Sequence, residues 1–134
     1  MKKSFTLLLV FVILLAACRK KTEPPTVTSV LVSKAWKVSF ARDFSSNYTI
    51  LFTGMKFLFT ADGKLKVDDG TTIYDGTWSE NPVTETVTMD ILSPLFELDF
   101  VSREWQVSSS SFTGVNLKDD KAATTQELRF AVWQ

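Results

Sequence analysis

The sequence predicts an all-β protein, an antiparallel meander β-barrel of about eight strands with only short helical turns. Three observations predict it. In short runs between Trp36 and Val132 apolar residues alternate with polar ones, the period of strands with one buried face. The apolar runs are short and are separated by Gly, Asp, Asn and Pro in turn-forming combinations. No helical pattern long enough for a parallel crossover lies between them, so successive strands must pair antiparallel. Closing such a sheet into a barrel buries its apolar face and removes its edges, leaving an interior the size of packed side chains or one small ligand. A two-sheet sandwich is the competing architecture.

The first element is not part of that domain. Lys2 and Lys3 form a short basic region, and an apolar and small-residue run follows from Phe5 to Ala17. It is the length of a signal-peptide core and short of the roughly 20 residues that a membrane span needs. Residues 1–17 are therefore expected to be a targeting segment that is removed. The run closes with Leu15-Ala16-Ala17-Cys18, which resembles the lipobox of bacterial lipoproteins. The resemblance implies cleavage before Cys18, whose thiol accepts a diacylglycerol, and acylation of the new amino group. Each buried methylene is worth roughly 0.8 kcal/mol, so two or three chains together hold a small domain on a membrane. An uncleaved signal anchor is the competing reading, because Arg19, Lys20 and Lys21 follow the apolar run and positive charge there opposes translocation.

Residues 18–26 read as the lipidated cysteine and a flexible tether, polar and extended by Pro24-Pro25. Its basic residues sit where anionic head groups attract charge, at about 1 kcal/mol each near the surface; a merely solvated linker is the alternative. A basic rather than acidic stretch after the cysteine favours an outer-membrane position facing the periplasm.

Residues 27–134 form the barrel domain. Trp36, Val38 and Phe40 alternate with Lys37, Ser39 and Ala41; Met55, Phe57 and Phe59 alternate with Lys56, Leu58 and Thr60. Ala61-Asp62-Gly63-Lys64 then turns the chain into Leu65 and Val67, a hairpin with turn chemistry at its tip. Asp69-Gly70 makes the next turn, and Tyr74 and Trp78 share a face across Gly76. After Glu80-Asn81-Pro82 ends that strand, Val87, Met89 and Ile91 alternate with polar residues. Ser93-Pro94 caps a short helix through Leu95, Phe96 and Leu98. Trp105 and Val107 resume the strand pattern, Ser108 to Ser111 read as a turn, Val115 and Leu117 follow, and Asp119-Asp120-Lys121 turns into Leu128, Phe130 and Val132.

Three of these stretches, Leu31 to Val38, Phe57 to Gly63 and Tyr74-Asp75-Gly76-Thr77-Trp78, resemble the lipocalin-like domain of small bacterial lipoproteins. The resemblance implies a meander barrel opened by a tryptophan-bearing first strand, with a short helical turn around Val27 to Ser33 before it. Where lipocalins proper carry a glycine two residues before that tryptophan, this chain has Lys34. The shape carries over more safely than any ligand.

Composition narrows the chemistry. Cys18 is the single cysteine, so the fold stands without a disulfide. Fifteen basic residues face 15 acidic ones, and loss of Lys2 and Lys3 leaves a mature net charge of about −2, which gives no footing for nucleic acid. The sequence has no histidine, which excludes Ser-His-Asp and Cys-His nucleophilic sites and the usual histidine zinc sites. Asp68-Asp69 and Asp119-Asp120 fall in expected turns, where carboxylates bond neighbouring backbone, and neither continues into a calcium loop. Asn47-Tyr48-Thr49 matches a glycosylation sequon that is incidental in a bacterial lipoprotein. No enzyme, cofactor or metal site is expected.

The aromatic residues are the remaining candidates. Trp36, Phe40, Phe57, Phe59, Tyr74 and Trp78 are expected to point into one interior. Either they fill it as core, or they line an apolar pocket with Tyr74 as a polar handle for a small lipid-like or aromatic ligand. The first outcome makes the chain a structural or interaction lipoprotein, using loops such as Ala41 to Tyr48 to meet an envelope protein or glycan; the second makes it a membrane-tethered ligand carrier.

Overall fold

The computed structural model describes residues 23–119 and 125–134. The leader, Cys18, the start of the tether and the turn residues Asp120 and Lys121 lie outside the described residues.

Among the described residues the chain forms nine strands: β1 (Ala35–Asp43), β2 (Ser46–Asn47), β3 (Lys56–Phe59), β4 (Lys64–Asp68), β5 (Ile73–Asn81), β6 (Thr86–Ile91), β7 (Glu104–Ser111), β8 (Gly114–Asp119) and β9 (Gln126–Val132). Every pairing is antiparallel. β3 to β9 run as a meander, β1 sits between β3 and β9 and closes the ring, and β2 folds back on the far end of β1. The barrel proper is thus a ring of eight strands, the number whose interior takes packed side chains or one small ligand.

A helix sits at each end. α1 (Val27–Ser33) starts where the Thr26 hydroxyl accepts from Ser29 N at 3.1 Å, and it buries Val30 and Leu31 under the barrel against β1, β3 and β7. α2 (Phe96–Val101) covers the opposite end and buries Leu98, Phe100 and Val101. Its Glu97 and Asp99 lie in the first turn, favourable for the helix dipole. Ser102 Oγ donates to Leu98 O at 2.8 Å and accepts from Ile91 N at 3.0 Å, pinning this cover to the end of β6.

The period of two is realised most fully in β3, β4, β6 and β9: Phe57, Phe59, Leu65, Val67, Val87, Met89, Ile91, Leu128 and Phe130 are all buried. Each such side chain contributes about 1.5–3 kcal/mol relative to exposure. The expected turns also form, with Gly63 at φ 83° and Gly70 at φ 91°. Asp69 Oδ1 accepts from Thr71 N at 2.8 Å and Thr72 N at 2.7 Å, which holds this carboxyl below the ordinary aspartate range. The Thr60 hydroxyl does the same for Asp62.

Two expectations are corrected by bulges. In β1 the register shifts between Val38 and Phe40, so the alternation inverts: Phe40, paired with outward-facing Arg129, lies on the outer surface, and Ala41 is fully buried. Ala41 to Tyr48 is accordingly not a free loop but the end of β1, a tight turn and β2. In β7 a second shift lies between Val107 and Ser109, and Ser108 to Ser111 continue the strand instead of turning. The ladder to β8 satisfies their backbone, while Ser108 Oγ donates to Asn116 O and Ser109 Oγ accepts from Asn116 Nδ2.

Candidate functional site

Four of the six aromatic residues singled out in the sequence converge. Trp36 and Phe57 are fully buried, and Phe59 and Trp78 nearly so. The Trp36 indole donates to Leu31 O at 2.9 Å, so it plugs the α1 end of the barrel while its polar atom is satisfied. The Trp78 indole donates to Thr60 O at 3.0 Å.

The other two do not join them. Phe40 lies outside under the Arg129 guanidinium, whose Cζ stands 4.8 Å from the ring centroid. Tyr74 faces inward but is only half-buried at the rim, its hydroxyl 3.4 Å from Asp69 Oδ2.

The interior aromatics touch one another and several rings that the sequence reading did not place among them. Phe57 meets Phe130 with centroids 5.2 Å apart, Phe59 meets Phe130 at 5.8 Å, and Phe59 meets Trp78 edge-on at 5.4 Å. Phe52 packs on Phe57 at 6.5 Å. At the α2 end Phe100 stands 5.5 Å from Trp105, and Tyr48 is set edge-on against Phe96 and Phe100. Edge contacts at these spacings are the packing of a core. Phe130 and Trp105 carried a strand-period signal; Phe52 and Phe100 did not, because they come from a 3-10 turn and a short helix.

Above that packed end lies a polar network. Arg103 stands 5.0 Å above Phe100 and 5.5 Å above Trp105, bonds the Gln126 side-chain carbonyl, and lies 3.8 Å from Asp119. Gln126 Nε2 donates to Asp43 Oδ1 at 2.8 Å. The ends of β1, β7, β8 and β9 are tied together by it. Around the same end Phe44, Ile73, Leu92 and Phe96 are exposed, and Phe44 adopts φ 56°, unusual for a bulky residue.

Concave features on the outside are lined by described residues. A cavity of about 660 Å³ opens between β1 and the 3-10 turn Thr49–Phe52, with Trp133 in its wall. A groove of about 430 Å³ runs over Gly76 between Lys66, Asp75 and Asp90. A third, of about 520 Å³, is formed where Pro24 to Val27 lie against Glu80, Pro82, Glu85 and the serine stretch of β7. Among the described residues no cluster of His, Cys, Asp and Glu could hold a metal ion, and no helix is long and apolar enough to cross a membrane.

No family model matches the chain, and no curated protein matches it significantly. Two solved structures share its fold. A DUF4847 family protein from Bacteroides vulgatus superposes with a TM-score of 0.58 at 13% identity, over 79% of this chain and 96% of that one. A lipocalin-like protein from Bacteroides uniformis superposes with a TM-score of 0.54 at 13% identity, over 76% of this chain and 98% of that one. At such identity the likeness is one of fold, and the fold of this chain is that of a lipocalin-like antiparallel barrel.

Proposed function

We propose that the protein is an envelope lipoprotein, held in the membrane through lipidated Cys18, whose barrel is a solid scaffold that meets an envelope protein or glycan with its outer surface. The observation that carries the scaffold reading is the interior itself: rings in mutual edge contact, with a helix packed under one end and another over the opposite end. The tether enters at the α1 end, and Phe44, Ile73, Leu92 and Phe96 are exposed around the opposite end, which on this reading is the surface offered to a partner. The likeness to a lipocalin-like protein favours a second reading, in which the aromatic interior takes a small apolar molecule.

One experiment separates the two. The protein is incubated with an envelope lipid extract and examined by native mass spectrometry, alongside Val38→Trp, which drives an indole into a side chain position only 7% exposed. A solid interior retains nothing, and the variant loses stability by about 3 kcal/mol or more through overpacking. A carrier retains a defined small molecule that the variant releases, at a cost of about 1–3 kcal/mol. Lipidation is tested separately by intact mass: Cys18→Ser should accumulate as unprocessed precursor, and an unmodified full-length wild-type chain would remove the tether from the proposal.

A further inference from the structure

The wall of the barrel is interrupted at one level of β1. β1 pairs with β3 only at Ala35 and Trp36, and its edge is occupied again from Ala41, by the chain around β2. Between them residues 49–54 leave the ladder as a 3-10 turn closed by Gly54 at φ 79°, and Met55 N bonds back to Phe52 O. Ala41 is satisfied by Tyr48 N and Thr49 Oγ1. Val38 is not. Ala35 O accepts from Trp133 N, so in strand alternation Ala35 and Lys37 face β9, whereas the N–H and C=O of Val38 face the gap, where the chain offers no partner among the described residues.

That gap is the 660 Å³ cavity, lined by Lys37, Asn47, Thr49, Ile50, Thr53 and Trp133 besides Val38. Its polar groups retain hydrogen-bonding capacity. Asn47 Oδ1 accepts from Thr49 N, which leaves its NH₂ group; Thr53 Oγ1 donates to Ile50 O, which leaves its lone pairs; Thr49 Oγ1 accepts from Ala41 N, which leaves its proton. Trp36, Trp78 and Trp105 each give their indole N–H to a backbone carbonyl, whereas that of Trp133 bonds no protein group among the described residues. Lys37 makes no ion pair among them either.

We infer that this window binds an acidic saccharide, a pyranose ring bearing a carboxylate. The inference rests on the reading of the barrel's outside as its binding surface. A half-buried indole supplies a platform for the C–H face of a sugar ring. Around it stand donors on Asn47, Thr49, Val38 and Trp133 and acceptors on Val38 and Thr53, which suits a ligand whose every hydroxyl both donates and accepts. Lys37 adds the single positive charge, which selects a carboxylate. An added peptide strand suits the window less, because strand pairing needs consecutive open positions and this edge is occupied both at Trp36 and at Ala41.

The test uses the full chain, ¹⁵N-labelled at tryptophan and held in detergent micelles, with Trp133→Phe to assign the fourth indole signal. Methyl glucuronide should shift the Trp133 signal saturably, with a Kd of ~1 mM, and leave the other three in place. Methyl glucoside should bind about tenfold more weakly, which corresponds to about 1.4 kcal/mol, and Lys37→Gln should abolish that preference without unfolding the barrel. A Trp133 signal indifferent to both sugars overturns the site. So does a response to a short extended peptide but not to sugar, or a shift confined to the interior indoles. The scaffold reading is judged by the native mass measurement and survives a silent Trp133.

Discussion

Gly76 holds β5 and β6 together by having no side chain. A Cβ placed there would stand 2.4 Å from Asp90 O and 2.9 Å from Ile91 Cα, both backbone atoms, where real Cβ contacts do not fall below about 3.0 Å. Gly76 pairs with Ile91, and Leu92 N bonds Asp75 O as the chain leaves β6 for α2. Gly76→Ala therefore cannot be relieved by rotating a side chain; the end of β6 must move by half an ångström or more and weaken its pairing. Overpacking that is relieved by backbone shifts costs about 1–3 kcal/mol, and the lost ladder bonds bring the expectation to about 3 kcal/mol. At about 4 °C per kcal/mol for a domain of this size, the melting temperature should fall by roughly 12 °C. Gly70→Ala is the control: nothing lies within 4 Å of its Cβ, so only the positive φ of 91° is penalised, by about 1–2 kcal/mol. Urea denaturation followed by tryptophan fluorescence measures both. If Gly76→Ala unfolds at the wild-type midpoint, or costs less than Gly70→Ala, the close approach of β5 and β6 is not what the glycine serves.

Other perturbations test the strand alternation and the turns. Phe57→Asp should cost several kcal/mol by placing an unpaired charge against Phe52 and Phe130, while Lys56→Asp, one residue away, should change stability by less than about 1 kcal/mol; equal losses in denaturant melts would refute the alternation in β3. Asp69 is held ionised by the Thr71 and Thr72 amides, so its folded pKa lies below the unfolded one; its contribution is present above the ordinary aspartate pKa and is lost as pH falls through the folded value. Thermal melts of Asp69→Asn against wild type should therefore differ most at neutral pH and converge below the carboxylate range. A difference that grew on acidification would reverse the sign of this argument.

What was legible in the sequence were the places where side chains and backbone obey one period. Met55 to Val67 could be read almost residue by residue, because a regular hairpin puts each second residue inward and Asp62-Gly63 names its own turn. α1 and α2 were legible as short helical segments, but α2 starts later than Ser93-Pro94 suggested: its N-cap is Leu95, with no side-chain cap, and Ser93 Oγ accepts only from Leu95 N ahead of the helix. The bulges were not legible. An extra residue in β1 has no signature among Lys37-Val38-Ser39-Phe40-Ala41, yet it exchanges the inside and outside roles of Phe40 and Ala41. In β7 the polar run from Ser108 imitates a turn because serines suit both, and only pairing with β8 decides. The aromatic set was visible as bulk, whereas its mutual contacts depended on rings from Phe52 and Phe100 that share no strand with it.

The irregularity that turns Phe40 outward falls where the wall opens. The register shift lies between Val38 and Phe40, and beyond Trp36 the pairing of β1 with β3 is lost, so both departures fall on the same few residues. A bulge bends a strand and increases its local twist. On the other side of β1 the chain before β3 winds into the 3-10 turn instead of pairing. Regular barrel wall offers a ligand little, because its backbone polar groups are used and its outward side chains stand apart. At the break the backbone of Val38, the side chains of the turn and the indole of Trp133 are brought around one cavity. Sequence patterns fail most where structure departs from its own regularity, and such departures are where binding groups can be gathered. The same reasoning weighs against the interior, where pattern and packing agree on a core.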